Sequence, residues 1–130
     1  MRRFAALAAF VSLTAGCSLL SEPEIDTIAD MVIASGNEQV APAGTILTTP
    51  FVVKVVNPEG KGLRGVAIGW EVTEGDGVTS HVWTTTDEDG LAMVFFKLGS
   101  TPGTNKVTAY FAGVQGVDHT VVFTATGTEP

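Results

Sequence analysis

The chain is poor in cysteine and in basic residues. Cys17 is its only cysteine, so no internal disulfide bond can stabilise the fold. Seven lysines and arginines stand against 14 aspartates and glutamates, which gives 130 residues a formal net charge of −7. Acidic surfaces repel the phosphate groups of nucleic acids and of anionic lipid headgroups. The composition argues against nucleic-acid binding and against membrane attachment through basic side chains.

Long apolar runs are also scarce, and an informative short one lies near the N-terminus. It extends from Phe4 to Leu13, follows Arg2 and Arg3, and precedes small residues and Cys17. This run is much shorter than the ~20 residues that a membrane-spanning helix needs. A positive start, a short apolar segment and small residues before a cleavage point are typical of a secretory signal peptide. We predict that residues 1–16 are removed on export.

The residues Leu-Thr-Ala-Gly-Cys at 13–17 resemble the lipobox of bacterial lipoproteins, in which the cysteine is acylated and becomes the new N-terminus. This resemblance implies that Cys17 carries the lipid, and more than one acyl chain gives stable anchoring. Ser18 follows, and the absence of aspartate there resembles lipoproteins of the outer rather than the inner membrane. The alternative is an ordinary signal peptide followed by an unmodified cysteine.

Cleavage before Cys17 leaves 114 residues, enough for one domain with a hydrophobic core, and moves the formal net charge to −9. Residues 17–30 are acidic, contain Pro23 and show no sustained periodicity, so they are predicted to be the lipidated cysteine and a flexible tether. From residue 31 the sequence changes to short apolar runs separated by turns. We predict one domain over residues 31–130.

Residues 31–130 consist of short β-branched runs separated by turns rich in glycine, proline, asparagine and aspartate. About seven such runs, with no helix-length apolar stripe, predict an all-β, immunoglobulin-like β-sandwich of antiparallel strands. The run Leu91–Leu98 is apolar on both faces. Alternation elsewhere places one set of residues inward: Phe51, Val53 and Val55; Val66, Ile68, Trp70 and Val72; Val107, Ala109 and Phe111; Val121, Phe123 and Ala125.

An ordered series of segments resembles the bacterial immunoglobulin-like group 1 domain, the repeat of invasin- and intimin-type surface proteins. The resemblance covers residues 32–128 and implies the sandwich fold and an adhesion, display or protein-interaction function at the cell envelope. Family members are usually tandem arrays, whereas this chain has a single copy. The matching segments are 34–37, 49–55, 57–60, 65–70, 85–92, 103–109 and 122–127.

Catalytic patterns are not apparent in the sequence. His81 and His119 belong to no metal-binding or nucleophile motif, so we predict a protein that is not an enzyme and needs no cofactor. Asp87 and Asp89 could offer oxygen ligands to Ca²⁺, but the later ligands of an EF-hand loop are missing. Aspartate also stabilises tight turns by binding backbone N–H groups, and this interpretation is preferred to a calcium site.

The outer face of Leu91–Leu98 is the feature that folding explains least. If Ala92 and the other alternate residues of this run point inward, three apolar residues point outward beside the outward residues of 51–56. Apolar patches of this kind usually mark contact surfaces. We predict that one such surface binds an unknown protein partner or a second copy of the chain; its residues are Leu91, Met93, Phe95, Val52 and Val56.

Two alternatives remain for this surface and for the function. The tether, through Ile25 and Ile28, could fold over the apolar patch and cover it. Trp83 and Tyr110, which we place outside the core, could instead form a platform for carbohydrate or another ligand. Coplanar and exposed rings would favour this second function.

Overall fold

The computed structural model describes residues 27–113 and 119–130. The predicted signal peptide, Cys17, Ile25 and most of the predicted tether lie outside the described residues. The part of the chain that is described contains no helix that could cross a membrane. Its secondary structure consists of ten strands: β1 (Asp30–Ser35), β2 (Gln39–Pro42), β3 (Phe51–Val56), β4 (Ala67–Glu74), β5 (Val78–Thr79), β6 (Trp83–Thr85), β7 (Leu91–Val94), β8 (Phe96–Lys97), β9 (Gly103–Phe111) and β10 (Thr120–Thr128).

The strands form two main sheets and one short pair. The first sheet has the order β1-β3-β7, the second has the order β2-β10-β9-β4-β6, and β5 pairs with β8. All pairings are antiparallel except that of β2 with β10, which is parallel and departs from the prediction. Residues from both main sheets share one hydrophobic core. The predicted all-β sandwich class is therefore confirmed.

Aromatic side chains fill the middle of the core. The Phe51 ring stacks on those of Phe96 and Phe123, with centroid distances of 5.4 and 4.6 Å. Trp70 packs against Phe123 at 5.9 Å, and its indole Nε1 donates a hydrogen bond of 2.8 Å to Thr84 Oγ1. Burying a tryptophan usually requires such a partner for its N–H. The inward orientation predicted for Trp70 is confirmed.

The inward faces predicted from alternation are also buried in β3, in β9 and in the central part of β4. Val72 is only half-buried, because the register between β4 and β9 shifts between Val72 and Glu74. Val66 and Val121 are likewise half-buried and pack against the edge of the core. Period-two alternation therefore identifies the core best in the middle of the strands.

The predicted continuous strand from Leu91 to Leu98 is wrong, because the chain changes partners at Phe95. Residues Leu91–Val94 pair with β3, whereas Phe96–Lys97 pair with β5. At the break, Phe95 N donates to Ser80 Oγ at 3.0 Å, and Phe95 O accepts from Ser80 N at 2.8 Å. The alternation survives, since the residues on either side of the break keep their inward and outward faces. This break and the short strands β5 and β6 raise the strand number above the predicted seven.

The two ends of the sandwich are distinct. At the N-terminal end, Ala29 N donates to Val56 O at 2.9 Å, and the turn that ends at Gly90 lies beside the same strand end. His119 Nδ1 lies 3.3 Å from Asp30 Oδ1 at this end. The opposite end, called the far end below, contains β5, β8 and the loop that carries Ile46. The chain therefore enters the domain at one end and presents a different set of side chains at the other.

Candidate interaction surface

The five residues predicted to form one apolar surface are only partly exposed. Met93 and Phe95 are exposed, and Leu91 and Val56 are half-buried. Val52 is directly paired with Met93 but is only 8% exposed, because β3 is the central strand of its sheet and neighbours lie on both sides. The expectation that Val52 offers accessible surface is therefore wrong, and the predicted patch is discontinuous.

Phe95 instead shares a groove with exposed residues from distant parts of the chain. Ile46 and Val78 are 64% and 61% exposed, and both pair with Lys97 from opposite sides. Together with Phe95 they surround an apolar groove of about 330 Å³, called the far-end groove below. Its lining residues are Ile46, Val78, Thr79, Ser80, Phe95, Phe96 and Lys97.

The far-end groove depends on short, non-local pairings. β8 is bordered by β5 on one side and by residues 45–47 on the other, where Leu47 N donates to Phe96 O and Leu98 N donates to Thr45 O, each at 2.9 Å. These bonds hold the Ile46 loop beside Lys97. Both Ile46 and Val78 lie in turn-rich segments, where apolar and polar residues do not alternate. The sequence therefore indicated only a large apolar residue at each position and not that the two border one groove.

Lys97 gives the groove a positive charge in an otherwise acidic chain. Its stem lies between two exposed apolar residues, and lysine commonly covers apolar surface with its methylene groups while its amino group stays in water. Among the described residues, Lys106 forms an ion pair with Glu74, and Lys97 forms none. The groove therefore offers apolar contact next to one amino group.

Met93 belongs to a second, separate depression of about 320 Å³. Its lining residues are Thr84, Thr85, Asp87, Leu91, Ala92 and Met93. This depression lies between β6 and β7, which are edge strands of different sheets. Met93 and Phe95 therefore face different surfaces, although they are separated by one residue in sequence.

The calcium candidates lie in the turn before β7. Asp87 Oδ1 accepts hydrogen bonds from Asp89 N at 2.8 Å and from Leu91 N at 3.0 Å. These bonds give the Asp87 carboxylate a structural role in closing the turn, and Gly90 follows with a φ of 82°. In the described ranges no group of three or more histidine, cysteine, aspartate or glutamate residues could hold a metal ion.

Trp83 and Tyr110 lie on the outer face of the five-stranded sheet. Trp83 pairs with Gly69, and Gly69 pairs with Tyr110, so the two aromatic residues flank one glycine. Trp83 is 59% exposed, whereas Tyr110 is half-buried. Ile28, proposed as a cover for the apolar patch, packs against the core, and the neighbouring Ala29 bonds to the N-terminal end of the sandwich.

No protein-family model matches the chain. No curated protein matches it significantly. Solved structures do match: the D0-D1 domain of intimin has 19% identity and a TM-score of 0.54 over 78% of this chain and 49% of that chain. A C-terminal 282-residue intimin fragment, solved in complex with the intimin-binding domain of the translocated intimin receptor, has 23% identity and a TM-score of 0.55, covering 78% and 34% of the two chains.

Domains 4 and 5 of the S-layer protein SbsC match over 78% of this chain and 52% of that chain, with 12% identity and a TM-score of 0.55. The chain thus spans about half or less of these solved chains. At such identities the likeness shows the fold. It confirms that the chain has the immunoglobulin-like fold of invasin- and intimin-type domains, as the sequence resemblance implied.

Proposed function

We propose that this protein is an exported lipoprotein of the bacterial cell envelope whose single immunoglobulin-like domain is a non-catalytic adhesion, display or protein-interaction module. The far-end groove is its contact surface. The observation that carries this proposal is the cluster of Ile46, Val78 and Phe95, which are exposed together around one groove. Exposed apolar clusters are costly in a soluble domain and usually mark a contact surface.

The position of the groove supports this assignment. The described chain starts beside Val56 at the N-terminal end, and the groove lies at the opposite end of the sandwich. If Cys17 is acylated and residues 17–26 connect the lipid to the domain, the groove lies at the end of the domain opposite the point of attachment. A partner outside the membrane surface then reaches it without competing with the anchor.

The fold comparisons are compatible with such a role. The intimin fragment was solved in complex with a receptor domain, and this is a property of that protein. For the present chain the expected ligand is a protein segment that packs an apolar side chain against Phe95 and Val78 in the groove. Lys97 at the centre of the groove favours an acidic residue beside that side chain.

Site-specific photocrosslinking on intact cells tests the contact surface. A photoreactive amino acid at Val78 should capture a protein partner or a second copy of the chain, because this residue borders the groove. The same amino acid at Val40, which is equally exposed on edge strand β2, is the matched control. Equal capture at both positions, or none at Val78, would contradict the proposed contact surface.

The anchor is tested by Cys17→Ala. This change should block acylation and maturation at this site, so the protein should no longer enter the detergent phase in a phase-partition assay. Ser18→Asp is the companion variant, since it keeps the lipid and should move the protein from outer- to inner-membrane fractions. A Cys17→Ala protein that still partitions with detergent would disprove lipid anchoring at this residue.

A further inference from the structure

A row of directly paired residues crosses the outer face of the five-stranded sheet. Trp83 on β6 pairs with Gly69 on β4, which pairs with Tyr110 on β9. Directly paired residues in a sheet point to the same side, and the adjacent Trp70 points into the core. Trp83 and Tyr110 therefore both face outward. They are two strand spacings apart, or about 10 Å.

Gly69 makes the surface between the two aromatic residues flat. A Cβ atom added to this residue would lie 2.2 Å from Cζ of Tyr110 and within 2.6 Å of both Cε atoms. The outer part of the tyrosine ring therefore lies directly over the glycine backbone. Any side chain at position 69 would lift this ring from the sheet, so the glycine keeps the row low and flat.

The stability of the fold explains the position of the Tyr110 ring but not the exposure of Trp83. An aromatic ring over a cross-strand glycine covers exposed backbone and stabilises the sheet. Trp83 lies on the edge strand and leaves more than half of its surface in water, although a tryptophan normally contributes most when it is buried. An exposed tryptophan on the edge strand, in the same row as a tyrosine ring over glycine, offers aromatic surface on which a ligand could stack.

The groups around the row indicate which ligand fits. Glu71 is the next outward residue of β4 and is exposed, and it pairs with Thr108 on β9. Thr120 pairs with Tyr110 on the other side of the row, and Thr85 is the next outward residue of β6. Hydroxyl and carboxylate oxygens thus border the aromatic residues, and no lysine or arginine belongs to the row.

We propose that Trp83, Gly69 and Tyr110 form a platform that binds a neutral oligosaccharide. Sugar rings have apolar C–H faces that stack on aromatic rings, and their hydroxyl groups can bond to Glu71 and the flanking threonines. A neutral glycan fits better than an anionic one because Glu71 and the net charge of −7 repel negative ligands. The row crosses three strands, or about 10 Å, and polar groups border it on both sides, so an oligosaccharide can contact more of these groups than one monosaccharide ring.

This inference is independent of the far-end groove and goes beyond the proposed function. The test uses the full-length protein in detergent micelles and a panel of neutral hexasaccharides with β-1,4 and α-1,4 linkages, measured by calorimetry. At least one hexasaccharide should bind, and Trp83→Ala should weaken its affinity about tenfold or more through loss of stacking. Gly69→Ala should also weaken binding, because it lifts the Tyr110 ring while leaving Trp83 intact.

Phe95→Ala is the matched control, since it removes an exposed aromatic ring from the far-end groove and should leave saccharide affinity unchanged. Melting curves of all variants show whether each domain is folded. The proposal is overturned if no hexasaccharide binds to the parent protein, or if folded Trp83→Ala binds as the parent does. If the parent protein bound no saccharide and Trp83→Ala lost photocrosslinking at Val78, Trp83 would belong to the protein contact instead.

Discussion

The aromatic core and the far-end groove are both rich in large apolar residues, but they arise in different ways. Phe123 and Trp70 lie in the middle of long strands and Phe51 begins β3, and all three point into the core from regularly paired strands. Ile46 and Val78 lie at one-residue or two-residue pairings, where no second layer covers them. Apolar character alone therefore does not decide burial; the face on which a side chain lies does, since Phe96 in the two-residue strand β8 points into the core and is only 1% exposed.

The largest effect that would test this comparison is expected from Trp70→Ala. Removing a large buried aromatic side chain usually costs about 3–5 kcal/mol, which is a large part of the stability of a small domain, and no internal disulfide compensates here. Chemical denaturation of the variant should show a loss in this range. A melting temperature within a couple of degrees of the parent would contradict the core position of Trp70.

A smaller loss is expected from Thr84→Val, which keeps the shape of the side chain but removes the acceptor of the Trp70 N–H. A buried donor without a partner costs roughly 1–3 kcal/mol. Thr85→Val on the adjacent, exposed position is the control and should change the free energy of unfolding by less than about 0.5 kcal/mol. Equal effects of the two changes would show that the hydrogen bond is not important.

Substitutions of Asp87 test whether its carboxylate closes a turn or binds calcium. Asp87→Ala removes the acceptor for two backbone N–H groups and should cost roughly 1 kcal/mol. Asp87→Asn keeps an oxygen at the same place and should stay closer to the parent in thermal denaturation. If calcium raised the melting temperature of the parent protein and not that of Asp87→Asn, the ion would be part of the site.

The smallest effect on stability is expected at the outer surfaces. The double change Met93→Ser with Phe95→Ser should alter the free energy of unfolding by about 0.5 kcal/mol or less per site, because both side chains are exposed. The same protein should lose photocrosslinking at Val78, since Phe95 borders the groove. Unfolding of this variant would mean that the two residues belong to a core, and the comparison above would fail.

Much of the fold could be predicted from the sequence, but the surface could be predicted only in part. The inward residues of β3 and β9, and Trp70 in β4, followed from alternation that extends over whole strands. The outward direction of Met93 and Phe95 also followed from it. Val52 could not be assigned correctly, because its cover comes from the two neighbouring strands and not from its own segment.

The far-end groove was missed and the alignment of the aromatic row was not predicted, for the same reason. Neither Ile46 nor Val78 has a periodic neighbour, and their proximity depends on pairing with Lys97 across distant parts of the chain. Trp83 and Tyr110 were selected as exposed aromatics, but only the register through Gly69 places them in one line. Register is a property of strand pairs, and one sequence segment does not contain it.

What the sequence by itself determined is the class of the fold, the orientation of side chains within each strand and the prediction of export with acylation at Cys17. These follow from local chemistry: the period of two in an extended backbone, the conformational demands of turns and the order of residues 1–17. Only the tertiary structure decided that the chain changes partners at Phe95 and that Ile46, Val78 and Phe95 meet at one groove. Pairings between distant strands depend on the packing of the whole domain, so the surfaces they create are a property of the fold.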